Sequence, residues 1–187
     1  TSRVRVALRT RPGAAVGLTE FEAWGLGDLP LSPPVRPAEN LAWNDGNQEH
    51  PGIRASYAHA TDSVRHAADG RTALTRYSRN RWTFYGSPNT EDWLEVEFGT
   101  PQTVGRVELV LYGDGRGIAA PESYWVEAWS GDQWERVKLQ SRHPQTPMAW
   151  ALNTAIFEPT RTRRVRLVFR HDLPTATGVS ELRLWPG

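Results

Sequence analysis

The stretch 89–99, Asn-Thr-Glu-Asp-Trp-Leu-Glu-Val-Glu-Phe-Gly, decides the fold. Leu94, Val96 and Phe98 alternate with Glu95 and Glu97. A period of two marks a β-strand with one dry face and one wet face. Gly99 and Pro101 then read as its stop. Upstream lies Arg81-Trp82-Thr83-Phe84-Tyr85-Gly86, and downstream a second alternating run, Val107, Leu109 and Leu111. Residues 89–111 therefore read as the central meander of an all-β domain whose other strands cover its apolar side.

Outward from that run, further short strands are expected at 53–57, 124–129, 134–139, 151–157, 163–170 and 178–185, separated by turns. Residues 58–80 are mostly polar and allow one helical turn around Val64, Ala67 and Ala68. So long a stretch without clear strands suggests a function or a bound ion that organises it. Roughly eight strands and no long helix point to a β-sandwich.

The N-terminal residues repeat the end of the chain. Val4, Arg5, Arg9, Gly17, Glu20 and Trp24 match Val165, Arg166, Arg170, Gly178, Glu181 and Trp185 at a constant offset of 161. Residues 1–25 thus read as the last two strands of a partial preceding copy, with chance similarity of two amphipathic strand pairs as the alternative. Pro30, Pro33, Pro34 and Pro37 make 26–39 a stiff linker. Residues 40–187 form the complete domain.

Composition narrows the function. The 187 residues suffice for one domain with a sizeable core. Twenty-two Lys and Arg balance 21 Asp and Glu, without a basic run, so nucleic acid is not an expected partner. No stretch of 18 apolar residues suggests a membrane span. The absence of Cys removes disulfides, thiolate metal sites and thiol nucleophiles. Thr1-Ser2-Arg3 does not read as a signal peptide, and any export signal is expected outside this sequence. Neither a Gly-x-Ser-x-Gly elbow nor a His-Glu-x-x-His motif occurs, and no acidic pair stands out for glycosidase chemistry. Nine Trp raise the question of exposed aromatic platforms.

Asp69-Gly70, Arg81-Trp82, the run Asp92 to Gly99, the loop Tyr112 to Tyr124 followed by Trp129, Gly131 and Trp134, and the terminal run Gly178 to Trp185 together resemble the discoidin, or coagulation factor C-type, domain. The nearest flavour is similar to the family 32 carbohydrate-binding modules attached to bacterial glycoside hydrolases. The resemblance covers about 40–187. It implies an eight-stranded jelly-roll β-sandwich that binds a ligand through loops at one end.

The resemblance also implies one structural Ca²⁺. Its ligands map to Asp69, the carbonyls of His66 and Arg71, Thr75, the carbonyl of Ser180, and Glu181. Arg71 stands where the family usually has Asn, and Thr75 sits one position later than the common pattern. Calcium takes six to eight oxygens, so such a set of carboxylates and carbonyls suits it.

For the ligand face, the loops 53–60, 76–90, 112–120 and 143–150 are expected to meet. His59, Arg79, Arg81, Tyr85, Asn89, Arg116 and Trp150 are the candidates to touch sugar, with Trp43 as a further exposed aromatic. Trp82 and Trp93 read as core. The expected role is a non-catalytic accessory module of a secreted bacterial glycoside hydrolase, partnered by polysaccharide and by the parent's catalytic and accessory domains. The alternative is an architectural or protein-interaction domain beside a catalytic domain, without sugar binding.

Overall fold

A computed structural model describes residues 6–8, 13, 39–72, 76–171 and 174–187. The strand pair expected within 1–25, the linker up to residue 38 and the proposed ligand Thr75 lie outside the described residues, apart from 6–8 and 13.

Nine strands are described. They are β1 (Gly52–Ala55), β2 (Trp82–Thr83), β3 (Glu91–Tyr112), β4 (Ile118–Ala119), β5 (Ser123–Trp129), β6 (Trp134–Arg136), β7 (Leu139–His143), β8 (Leu152–Arg170) and β9 (Ala176–Pro186). The one helical element among the described residues is a 3-10 turn at Val64–Ala67. The all-β reading is correct.

The meander is not. Gly99 and Pro101 do not end a strand, because β3 runs on for 22 residues. Gly99 takes φ 72°, a conformation that costs glycine little. The register against β8 shifts between Glu97 and Gln102 and again between Val104 and Arg106. Such bulges bend a strand without ending it. The two halves of β3 therefore do not pair with each other but serve different layers. β8 does the same, joining 151–157 and 163–170 into one 19-residue strand.

One layer runs β1, the first half of β3, the second half of β8, β5 and β6. The other runs β2, β9, the second half of β3, the first half of β8 and β7. Between them lies a single core. Leu94, Val96, Val165, Leu167 and Phe169 from the first layer meet Leu109, Leu111, Phe157, Leu182 and Leu184 from the second, all at most 1% exposed. Full burial of each such side chain contributes about 1.5–3 kcal/mol. Trp82 and Phe84 pack edge to face at 4.2 Å over one end of this core, and aromatic pairs favour that arrangement.

The path of β3 fixes two poles. Glu91 and Tyr112, its ends, lie at the first pole, together with Trp150 before β8 and His171 after it. The bend at 99–105 and residues 160–163 of β8 lie at the second.

Candidate functional site

The first pole is built around Tyr112 at the end of β3. Its ring is 1% exposed and its hydroxyl donates to the Arg76 carbonyl at 2.6 Å. The Arg81 guanidinium lies 4.8 Å from the ring centroid, and Trp150 meets the same ring edge-on at 5.3 Å. Burial pushes the Tyr112 phenol up, Arg81 opposes this, and Asp114 and Asp62 add to it.

The loop after Tyr112 is held by a carboxylate. Asp114 Oδ1 accepts the N–H groups of Arg116, Gly117 and Ile118 at 2.8, 2.9 and 2.9 Å. Burial would raise Asp114, but these amides outweigh it and hold the group below the usual carboxylate range. Gly117 then passes so close to Tyr85 that a Cβ there would lie 3.0 Å from the Tyr85 ring. Tyr85 is 51% exposed and meets His59 edge-on at 5.5 Å.

A second carboxylate braces the other side. Asp62 accepts the Thr83 hydroxyl at 2.5 Å and faces Arg81 Nη2 at 3.7 Å, with 2% of its side chain exposed. Arg81 also donates through Nη1 to the Ser78 carbonyl.

The four loops expected to meet do meet here. His59, Arg79, Arg81, Tyr85, Asn89, Arg116 and Trp150 all lie at this pole. They are not equivalent. Tyr85, Arg79, Arg116 and Trp150 face outward. Arg81 is spent on Ser78 and Asp62, and the Asn89 amide donates inward to Asp92 at 2.9 Å. Trp43 lies elsewhere, at the second pole, beside a cavity of about 200 Å³ that His50, Phe98 and Gln102 also line.

Tyr77 is a rim residue that the sequence reading missed. It is 63% exposed, next to the Arg76 that accepts from Tyr112. Its position inside a polar stretch without periodicity gave no signal. Among the described residues the exposed Tyr and Trp side chains are Tyr77, Tyr85 and Trp150, all at this pole. Four other Trp are covered by guanidinium groups. Arg136 lies 4.1 Å from the Trp125 ring, Arg164 4.0 Å from Trp129, Arg166 4.5 Å from Trp134, and Arg106 4.9 Å from Trp185. Trp93, read as core, is half-buried on β3 beside the fully buried Leu94.

Of the residues expected to hold Ca²⁺, Asp69 and Glu181 lie near each other, and Thr75 is outside the described residues. Glu181 on β9 is 1% exposed, and no hydrogen bond of normal geometry reaches either carboxylate oxygen. A weak approach of the Gly70 amide and Arg183 Nε at 3.9 Å are its nearest positive groups. Burial drives Glu181 well above the usual carboxylate range, Arg183 opposes this, and Asp69 adds to it. Burial also raises Asp69, against the Arg71 amide at 3.0 Å and the Asn80 amide at 3.3 Å. No cluster of three or more acidic and imidazole groups occurs among the described residues. Asp69 and the Gly70 amide are the neighbours that Glu181 shares with the early loop. A buried acid lacking donors, beside a second acid, fits a hard divalent cation.

Residues 66–167, more than half of the chain, match the family model of the NedA-like, galactose-binding domain of F5/F8 type C. No curated protein matches the chain. A domain of the Streptococcus pneumoniae beta-galactosidase BgaA is similar at TM-score 0.72 and 21% identity, over 79% of this chain and 98% of that one. Chitosan-binding module 1 of a chitosanase/glucanase from Paenibacillus sp. IK-5 is similar at 0.57 and 23%, over 78% and 98%. The family 32 carbohydrate-binding module of Clostridium perfringens NanJ, solved with galactose, is similar at 0.53 and 16%, over 71% and 91%. At these identities the likenesses establish the jelly-roll sandwich, and with the matched family model they give one assignment: the chain belongs to the F5/F8 type C, NedA-like galactose-binding domain family.

Proposed function

We propose that this chain is a non-catalytic carbohydrate-binding accessory module of a secreted bacterial glycoside hydrolase, and that it holds glycan on the Tyr112 pole. One observation carries the reading: the Tyr and Trp side chains left open among the described residues, Tyr77, Tyr85 and Trp150, gather at one pole. Aromatic faces take the apolar faces of sugar rings, and neighbouring guanidinium and amide groups meet the hydroxyls. Trp150 supports this further. It holds φ 64°, a conformation that costs a bulky residue about 1–3 kcal/mol and that concentrates at functional sites. The carboxylates beside Tyr112 support binding over catalysis, since Asp62 and Asp114 are tied to a hydroxyl, a guanidinium and three amides. A chitosan-binding module and a galactose-bound module among the structural relatives point the same way.

The fit at Asp69 and Glu181 supports a resident Ca²⁺, with the carbonyls of His66, Arg71 and Ser180 and with Thr75 completing it. The ion would supply charge compensation to two buried acids. Asp69 and Asn80 then fix the loop that leads to Arg81.

Affinity electrophoresis in plant, fungal and bacterial polysaccharides tests the role. Retardation that free sugar competes away is expected. Tyr85→Ala and Trp150→Ala should each weaken it about tenfold, or 1.4 kcal/mol, with melting temperature unchanged. Unretarded migration of the native chain in every polymer would reject the role. One feature favours the architectural alternative. Leu152 and Ile156, 46% and 40% exposed, lie four residues apart on one face of β8. Under that alternative no polymer retards the folded chain.

A further inference from the structure

The charges around Tyr112 are sorted by accessibility. The two carboxylates nearest Tyr112 are engaged within the chain, and Glu91 at the same pole pairs with Arg170. Asp62 is 2% exposed and meets Thr83 and Arg81, and one oxygen of Asp114 takes three loop amides. Three arginines face outward. Arg76, Arg79 and Arg116 are exposed, and none has a carboxylate partner among the described residues. Arg76 Nη2 does bond the Tyr77 hydroxyl at 2.6 Å, which holds its guanidinium beside an exposed ring. Along the sheet faces the pattern is different. Arg54, Arg164, Arg166 and Arg170 are matched by Glu97, Glu95, Glu127 and Glu91. A ligand beside Tyr112 thus meets guanidinium groups without carboxylate partners, interleaved with open aromatic rings, while Asp62, Asp114 and Glu91 already have partners.

We infer that the glycan bound here is acidic, a polymer whose sugars carry carboxylate or sulfate groups, with Arg79 and Arg116 meeting the anion while Tyr85 meets the ring. This rests on the glycan-binding reading above. A guanidinium forms paired, charge-assisted hydrogen bonds to carboxylate or sulfate that a neutral hydroxyl cannot match. A cationic polymer such as chitosan would meet uncompensated repulsion at the same groups.

The test uses the full chain in affinity electrophoresis with four polymers: polygalacturonate, dextran sulfate, neutral galactan and chitosan. Arg79→Glu/Arg116→Glu is compared with Arg161→Glu/Arg163→Glu. The second variant makes the same charge change at the opposite pole, on two exposed arginines of β8. The expected result is salt-sensitive retardation by one or both acidic polymers and at least tenfold less by galactan and chitosan. The rim variant should lose at least tenfold in affinity and the far-pole variant less than twofold. Retardation by polygalacturonate alone assigns a carboxylate, and by dextran sulfate alone a sulfate. Equal loss in both variants reduces the effect to net charge and overturns the inference. Binding of galactan or chitosan at least as tight as that of the acidic polymers also overturns it, yet leaves the glycan reading standing. No retardation by any polymer removes the glycan reading itself. Melting curves of both variants identify a loss caused by unfolding, and Arg79→Gln/Arg116→Gln then replaces the rim variant with the same expected loss.

Discussion

Asp92 is 0% exposed and carries the densest bonding in the first layer. It accepts Ser56 Oγ at 2.5 Å and Asn89 Nδ2 at 2.9 Å, and it pairs with His171 Nε2 at 3.1 Å. Burial alone would raise its pKa, but the bonds from His171, Ser56, Ser87 and Asn89 outweigh burial and lower it. The sign of the pH effect follows. A depressed carboxylate adds stability above its unfolded value of about 3.9, and that stability is lost as pH falls through the lower folded value. Asp92→Ala should therefore cost about 3–5 kcal/mol at pH 7 by leaving buried partners unpaired. Urea titrations at pH 7 and pH 3 check this, because the gap between native and variant should narrow below about pH 4. A gap that stays constant would show that the carboxylate's charge contributes nothing. The same scale explains what the sequence concealed. Period two places Trp125 and Trp129 on one face of β5, but arginines from β6 and β8 cover their rings. A strand's own residues do not reveal what crosses from its neighbour. Tyr85, by contrast, was legible, because Gly86-Ser87-Pro88 sets it at a turn.

At the scale of the element, β3 was legible in its faces and illegible in its length. Leu94, Val96 and Phe98, then Val107, Leu109 and Leu111, are buried as their alternation requires. Gly99-Thr100-Pro101 looks like a turn, and locally it has turn chemistry. It bends rather than reverses because β8 pairs with β3 on both sides of the bulge, and that pairing is nonlocal. Gly99 is the hinge of this arrangement. Its φ is 72°, and a Cβ there would lie 2.8 Å from the His50 ring. Gly99→Ala therefore combines a strained backbone with a side-chain clash, and it should destabilise the sandwich by about 1–3 kcal/mol. Because Gly99 lies at the pole opposite Tyr112, polysaccharide retardation of the folded variant should match that of the native chain. A melting temperature equal to native would mean that the His50 loop moves aside and that the bend does not depend on glycine.

For the whole molecule, two strands threading both layers leave neither layer able to unfold alone. The loop carrying Asp69 is tied into the same unit from two sides. Asn80 donates to Asp69 at 3.3 Å and to the Arg71 carbonyl at 3.0 Å, and Arg183 on β9 donates to Thr72 at 3.1 Å. Asn80 precedes Arg81, which underlies Tyr112. A cation at Asp69 and Glu181 would thus stabilise both the fold and the loop that borders the rim. Binding to the native state alone adds about 2.7 kcal/mol when the ligand stands at a hundred times its Kd. Ca²⁺ should raise the melting temperature in a single transition, and a chelator should lower it. Glu181→Gln should abolish the response without lowering stability in chelator, since it removes a buried charge that has no good donor. Linkage then demands reciprocity. If Ca²⁺ tightens glycan binding by some factor, glycan tightens Ca²⁺ by the same factor. Titration calorimetry of each ligand in the presence and absence of the other should return one factor, of about two to ten. A melting curve indifferent to Ca²⁺ would remove the ion from the site. A Ca²⁺-stabilised chain with glycan affinity unchanged would keep the ion and cut the path through Asn80 to Arg81.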